Sequence, residues 1–536
     1  MKIIGSAART AYMLGVSALC LGGVLSTTVT PAFANEDRYV RIDEKPSGEI
    51  DPHKARDFAD SILIENLYDT LVVPAGGSSV GPHLATGWTT DGNSVVFELR
   101  DDVTFHTGNK MTAADVVYSF NRMRDMGLGR SFVLGSQIGE AVAEGDYTVR
   151  FTMNEPFAPF LAAMSQVPIV DSALVEQHVT NGDFASEWLS ENDAGSGAYQ
   201  LVSHKPQEET VMERFDGYFL GVPEQAPDGM RFRYGLAAPT VRTLLETAGH
   251  DISSPWLPPE VLVELSQGEN TKILAVPATT QMFFKLNTQR APLDDVHCRR
   301  ALSYALDYEA VRSVMKVAEG INAASPSNGP IPKGLMGNDP SVADFGQDLE
   351  RAKEELAQCK YAPADYTLEV AWISGIAFEE RFALLMQANF GQLGFNVEIV
   401  STPWAKFAEL VTDPAVNPHV NQVMASPVTP DTDSLLYNSY HSSRAGTWQS
   451  AEWLDDAEVD RMLDEARGAS DPAVREQIYR DLSARIVELA PTIFPYNLMT
   501  VFGANNRISA PRLEDPAQTL PAISSNFAVR KMVLRD

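Results

Sequence analysis

One stretch restricts the fold more than any other part of the chain. It runs from Pro82 to Arg122 and reads PHLATGWTTDGNSVVFELRDDVTFHTGNKMTAADVVYSFNR. Val95, Phe97 and Leu99 alternate with Ser94, Val96, Glu98 and Arg100, a period of two that predicts a strand with one buried face. Asp91-Gly92-Asn93 is a tight turn before it, and Phe105 to Asn109 is a second turn. Thr112 stands three residues before Asp115, a capping-box-like helix start with Asp in place of the usual Glu or Gln. Val116, Val117, Phe120 and Met123 follow at helical spacing. The pattern specifies strand, turn and capped helix, and none of its chemistry is catalytic.

The same residues resemble the signature of the family 5 extracytoplasmic solute-binding proteins, the oligopeptide, dipeptide and nickel-binding class that feeds ABC importers. Leu84, Ala85, Trp88, Phe97, Leu99, Arg100, Val103, Phe105, His106, Gly108, Thr112, Ala113, Asp115, Val116 and Ser119 match its pattern in order. Asn66, Tyr68 and Leu71 resemble its opening, with Asp69 in place of Glu. Gly195 to Tyr199, Asp216 to Phe219 and Ala291-Pro292-Leu293-Asp294 resemble later turns. The resemblance implies an α/β, two-lobed periplasmic binding protein fold with a hinge and an additional subdomain in the first lobe. The expected divisions are a signal peptide at 1–34, a first lobe at 35–285 with an inserted subdomain at roughly 70–190, a second α/β lobe at 286–490, and a segment at 491–536 returning to the first lobe.

The N-terminus reads as a secretory leader. Lys2 and Arg9 form a positive region, Ala11 to Leu25 an apolar one, and Ala32-Phe33-Ala34 a cleavage site, so the mature periplasmic chain is expected to begin at Asn35. Ser17 and Leu19 stand where a lipidation motif before Cys20 needs Leu and a small residue, which argues against a lipid anchor. The net charge of −29 disfavours nucleic acid and anionic membrane as partners. Cys298 and Cys359 remain after the leader. They sit on separate expected helices, and their pairing is left open.

Further along, Ala59 to Leu71 and Val296 to Val317 read as helices, and Asn322 to Asp339 as a long loop tied over the surface. Leu368, Val370 and Trp372 alternate as a strand, Phe378 to Leu393 is a helix stopped by Gly394, and Phe395, Val397 and Ile399 open the next strand. Strand, helix and strand at this spacing form a βαβ unit, whose ligands sit at the carboxyl ends of its strands. That points to Trp372 and Ser374 and to the loop carrying Trp404. Asp471-Pro472 opens a further helix.

No nucleophile elbow, zinc-protease helix motif or phosphate loop occurs. The nine histidines lack metal spacing, so neither metal nor cofactor is expected. The adjacent acids Asp294-Asp295 and Asp455-Asp456 point apart and read as solvated. Arg130, in a glycine-flanked loop, is a candidate partner for a ligand carboxylate. A single tryptophan is more often core than ligand platform, but strand-end positions single out Trp372 and Trp404. In Met424 to Ser443 the resemblance aligns Val428 with the aspartate that pairs with a peptide's α-ammonium, and Asp433 is the nearest substitute. An ammonium buried without a carboxylate is costly. A peptide-like or amino-acid-derived solute is therefore expected, such as a modified short peptide or an opine, delivered to an inner-membrane ABC permease by a monomer. A periplasmic hydrolase and a receptor for a membrane sensor are the competing classes.

Overall fold

The computed structural model describes residues 38–44, 49–56, 58–514 and 527–535; the expected leader and its cleavage site lie outside them. Two long strands organise the molecule. Thr271–Leu286 and Thr492–Asn505 pair antiparallel along nearly their whole lengths. One end of the ribbon supplies Leu274, Val276, Phe502 and Ala504 to the core of the first lobe. The other supplies Met282, Phe284, Leu286, Ile493 and Tyr496 to a core of the second. The register shifts between Pro277 and Gln281 and again between Met282 and Phe284. Proline donates no ladder hydrogen bond, and such irregularities bend and twist a ribbon locally, here in the stretch between the two lobes.

The first lobe carries a four-stranded sheet in the order Tyr39–Glu44, Gly229–Tyr234, Glu209–Arg214, Tyr199–Lys205, its first pair parallel and the rest antiparallel. Ile252 bridges Ile42 of that sheet to Ala504 of the ribbon. The helix Phe58–Leu67 contributes Ile62, Leu63, Ile64 and Leu67 to the core. The C-terminal segment packs here: the Asn66 side chain donates to the carbonyl of Phe527 (2.9 Å) and accepts from the amide of Val529 (3.0 Å).

The signature stretch builds a separate four-stranded antiparallel sheet, Ala85–Asp91, Ser94–Leu99, Thr148–Met153, Ile138–Ala143. Val95, Phe97 and Leu99 are buried, as their alternation predicts. The helix Ala113–Met126 starts at the Thr112 cap, where Asp115 Oδ2 accepts from the Thr112 amide (2.8 Å) and hydroxyl (3.0 Å). Asp115 Oδ1 accepts from the Ser172 hydroxyl (2.6 Å), so the short carboxylate caps one helix and anchors the start of another, Ser172–Glu176. The core of this subdomain runs from Leu71 to Ile169. Val170, Val175, Ala185 and Leu189, inside the expected range of 70–190, pack in the first-lobe core instead. Gly195 and Gly197 lie so close to the carbonyls of Leu67 and Asn66 that a Cβ would fall 1.9 and 2.2 Å from them. The small-residue run is thus a backbone contact.

Subdomain and lobe are joined by a buried cluster. Arg122 donates to both Asp51 oxygens (2.8 and 2.7 Å) and to His53 Nδ1 (2.8 Å), and His53 Nε2 donates to the carbonyl of Pro168 (2.9 Å). Burial alone would raise the Asp51 carboxyl, but the Arg122 guanidinium holds it below its usual range. Burial and the same guanidinium push His53 down to about 4, so its ring is neutral and accepts from Arg122.

The second lobe is a six-stranded sheet in the order Ala324–Ser325, Thr492–Asn505, Thr271–Leu286, Val420–Ala425, Thr367–Ile373, Asn396–Thr402. Helices cover both faces. Phe382, Met386 and Phe390 of the helix Ala377–Gly391 pack on one side with Met282 and Phe284. Leu463, Tyr479 and Leu482, from Ala457–Gly468 and Pro472–Leu489, pack on the other with Phe283 and Val423. Thr367–Ile373 and Asn396–Thr402 are parallel neighbours, the expected βαβ unit. The helix expected over Val296 to Val317 is two helices, Val296–Ala305 and Tyr308–Ser313. The break comes at Asp307, whose carboxylate accepts from the Ala310 amide (2.9 Å) while its own amide donates to Asn389 (2.8 Å). Cys298 and Cys359 form a disulfide, their Cα atoms 5.1 Å apart.

Replacing Arg122 with Met leaves Asp51 buried without its cation. Urea unfolding should show a loss of about 3–5 kcal/mol, with part of it recovered when Asp51→Asn is added.

Candidate ligand-binding cleft

Three parallel strands of the second lobe, Thr367–Ile373, Asn396–Thr402 and Val420–Ala425, point their carboxyl ends the same way. The loops leaving them carry most of the residues singled out from sequence. The Ser374 amide donates to the carbonyl of Thr402 (3.0 Å), and the Ser374 and Ser401 hydroxyls lie 2.8 Å apart. Trp404 opens the helix Trp404–Leu410 behind Pro403 and is 50% exposed. Its ring meets Trp448 edge-on, with centroids 5.7 Å apart, and leans on Phe407. Trp372 is half-buried and packs back onto the lobe's core, so of the two tryptophans only Trp404 stands out from the surface. Trp256 (42%) and Phe132 of the subdomain (55%) are also exposed.

The crossing ribbon carries polar residues where it pairs with Val420–Ala425. Gln281 is opposite Ala425 on one side and Asn497 on the other, and Asn497 is opposite Ser325. The row Ala425, Gln281, Asn497, Ser325 therefore shares one face of the sheet. The Gln281 amide donates to the Ser327 hydroxyl (2.5 Å) and the carbonyl of Gly329 (2.8 Å), and the Thr280 and Ser426 hydroxyls are 2.6 Å apart. Gln281 Oε1, Asn497 Oδ1, Thr429 Oγ1 and Thr500 Oγ1 are shut off from solvent and have no hydrogen-bond partner. Native structures leave few buried polar atoms unpaired. Three of these four lie on the ribbon and the fourth on the loop beside Val428. Sequence reading passed over Gln281 and Asn497. The available signal was the polar run Thr279-Thr280-Gln281 inside an otherwise apolar strand.

Val428 is half-buried on the loop after Val420–Ala425. Asp433 is not a bare carboxylate: Arg467 donates to both of its oxygens (3.0 and 2.8 Å), and the guanidinium lies over the Tyr437 ring, 3.2 Å from its centroid. Burial raises the Asp433 carboxyl, opposed by Arg467. Asp431 is held the same way by Arg475 (2.6 and 2.7 Å). Sequence reading treated these acids without their arginines, which lie on later helices. Arg130 is in the subdomain, donating to Gln166 Oε1 (2.6 Å) and to the Ser61 hydroxyl. The expected site residues thus fall into two groups: Ser374, Trp404 and Val428 in strand-end loops of the second lobe, and Arg130 in the first.

Other chemistry is structural. Asp294 accepts from Lys360 and Tyr361, and Asp456 caps a helix and pairs with Arg485. Among the described residues, Asp295, Cys298 and Cys359 form the one close group of metal-ligand types, and their sulfurs are bonded to each other. At the carboxyl end of Thr367–Ile373, Glu379 accepts from the Ile373 amide (2.7 Å). Burial pushes its carboxyl up to about 7.

A two-lobed α/β molecule whose lobes share one pair of crossing strands has the architecture of a solute-binding protein that serves ABC transporters. The model of the family described as "Bacterial extracellular solute-binding proteins, family 5 Middle" matches residues 79–447, and the chain belongs to that family. The dipeptide-binding protein of Escherichia coli (strain K12) is 25% identical over 455 residues, covering 80% of this chain and 83% of its own. The substrate-binding protein CtaP of Listeria monocytogenes aligns with a TM-score of 0.81 at 20% identity, over 93% of this chain and 99% of that one. The binding protein AgaA of A. tumefaciens R10, solved with agropinic acid, aligns at 0.72 and 20% identity, over 93% and 99%. These relatives are binding proteins.

A Glu379→Gln variant tests the buried acid. The unfolded chain ionises Glu379 near its ordinary value of 4.5 and the native chain only near 7, so wild-type stability falls as pH rises between these values. The variant should match the wild type near pH 4 and exceed it by about 3 kcal/mol at pH 8, read from denaturant midpoints at each pH.

Proposed function

We propose that the chain captures a peptide-like or amino-acid-derived solute in the periplasm and delivers it to an inner-membrane ABC permease as a monomer. Its leader would be cleaved after Ala34. The observation that carries this reading is the set of unpaired polar atoms on the crossing ribbon, Gln281 Oε1 and Asn497 Oδ1 among them, together with the exposed ring of Trp404 at the carboxyl ends of the second-lobe strands. Binding sites of this kind combine apolar walls with a few placed polar groups. Rotation of the lobes about the bent ribbon would close them onto the ligand.

The charged groups favour a ligand whose ammonium is masked or absent. Val428 stands where the family resemblance puts the ammonium-binding aspartate, and Asp431 and Asp433 are each chelated by an arginine. Contact is assigned to Ser374, Trp404 and Val428, with Gln281 and Asn497 as the polar floor. The named ligands of the relatives, a dipeptide in one case and agropinic acid in another, span the proposed class.

A thermal-shift screen of the mature protein against di- and tripeptides, opines, amino-acid derivatives, sugars and nickel chelates tests the reading. A true ligand at about a hundred times its dissociation constant adds roughly 2.7 kcal/mol to stability. Opines or modified peptides should respond, and Trp404→Ala should weaken the responding ligand by about tenfold. Val428→Asp should bring free-ammonium dipeptides into range. A response limited to sugars or nickel chelates would sink the proposed ligand class.

A further inference from the structure

A cavity of about 160 Å³ opens in the first lobe beside the helix Phe58–Leu67. It is lined by that helix and by the returning C-terminal segment, with Glu65 on one wall and Arg512, Arg530 and Lys531 on the other. Its lining residues, Arg130 among them, come from the first lobe and its subdomain, with none from the strand-end loops of the second lobe that carry Ser374, Trp404 and Val428. The volume is several times that of one water molecule but below the roughly 300 Å³ at which sites for larger organic ligands begin.

Charge is distributed unusually around it. The chain is strongly acidic; of its buried arginines Arg122 meets Asp51 and Arg475 meets Asp431 at short range, while Arg299 is held by the backbone carbonyls of Leu293, Leu489 and Ala490. Among the described residues, Arg530 and Lys531 meet no carboxylate within ion-pair distance, and the Arg530 guanidinium sits 5.3 Å from the Tyr218 ring centroid. Glu65 Oε2, shut off from solvent, accepts no hydrogen bond. A carboxyl and two cations therefore line one small cavity without touching. The other acid in the lining, Asp69, is already engaged by His83 (2.7 Å), Ser196 (2.8 Å) and Tyr218 (3.1 Å).

We propose that this cavity binds a small oxyanion, phosphate or carboxylate, held between Arg530, Lys531 and the Glu65 carboxyl. Two cationic donors on adjacent residues supply the charge-assisted hydrogen bonds that oxyanions form. Burial pushes Glu65 up to about 8 against the pull of Arg512, Lys531 and Arg530. Near neutral pH its O–H is then a third donor rather than a competing anion. Burial, with Arg512 and Arg530, lowers Lys531 to about 8, which still leaves it mostly charged at pH 7. An oxyanion placed here bridges the helix Phe58–Leu67 to the C-terminal return, so occupancy stabilises the first lobe without needing the transported solute.

The test is the melting midpoint of the mature protein at pH 7 with millimolar sodium phosphate, or separately sodium acetate, against sodium chloride at equal ionic strength. The midpoint should rise with at least one of the two anions, and the one that acts identifies the source. The affinity read from that rise should fall about tenfold or more in Lys531→Gln, and further when Arg530→Gln is added. Glu65→Gln, which keeps a neutral donor, should retain it within about twofold. Much of the Lys531 side chain stays open to solvent while its ammonium is partly buried, so the single variant should fold even if the double one does not. No rise over chloride with either anion, or a rise unchanged in Lys531→Gln, overturns the proposal. Neither result bears on the screen of the interlobe cleft, which uses different ligands and different residues.

Discussion

The pairing of Thr271–Leu286 with Thr492–Asn505 is the interaction on which the rest of the molecule depends. Each strand contributes side chains to both lobes, so neither core is complete without the ribbon. Backbone hydrogen bonds hold the two strands as a unit, and the register shifts after Pro277 and around Met282 interrupt the ladder between the lobes. A continuous ladder resists bending, and an interrupted one concentrates it. Gln281 and Asn497, register partners between the two shifts, carry unpaired side-chain oxygens.

Buried ion pairs set how the other pieces sit against this frame. Arg122 with Asp51 ties the subdomain to the first lobe. Lys285 with Glu452, under the Tyr440 ring at 4.1 Å, fixes the ribbon's second-lobe end to the helical layer. Arg475 with Asp431 and Arg467 with Asp433 hold the loop that carries Val428. Such pairs add little net stability against apolar replacements, but each is satisfied in only one arrangement. Across the crevice, the subdomain reaches the second lobe through the Ala158 amide on the carbonyl of Arg467 (2.8 Å) and the Ser78 hydroxyl beside the Met336 amide (2.9 Å). The loop bearing the candidate contacts is therefore braced from both lobes.

Elements whose determinants lie within a few residues of one another were legible in the sequence. The strand through Val95, Phe97 and Leu99, the cap at Thr112 and Asp115, and the helix opened by Asp471-Pro472 all form as their spacing predicts. The break at Asp307 was missed because apolar periodicity continues across it. The deciding contact, from Asn389, comes from the helix of the βαβ unit, 82 positions further on. The candidate site was half legible. Strand-end logic found Ser374 and Trp404. It also offered Trp372, whose ring packs inward, and Asp433, whose partner lies 34 positions further on.

The sequence by itself determined the α/β class, the family and the order of the pieces, because periodicity, caps and turn residues are local and the signature residues are contiguous. Only the tertiary structure decided that Cys298 meets Cys359, that the subdomain core ends at Ile169, and which acids are already neutralised. It also decided that Glu65, Arg530 and Lys531 share a cavity. These facts depend on distances between residues tens to hundreds of positions apart. Chain spacing does not encode such distances until the crossing strands have brought the lobes together.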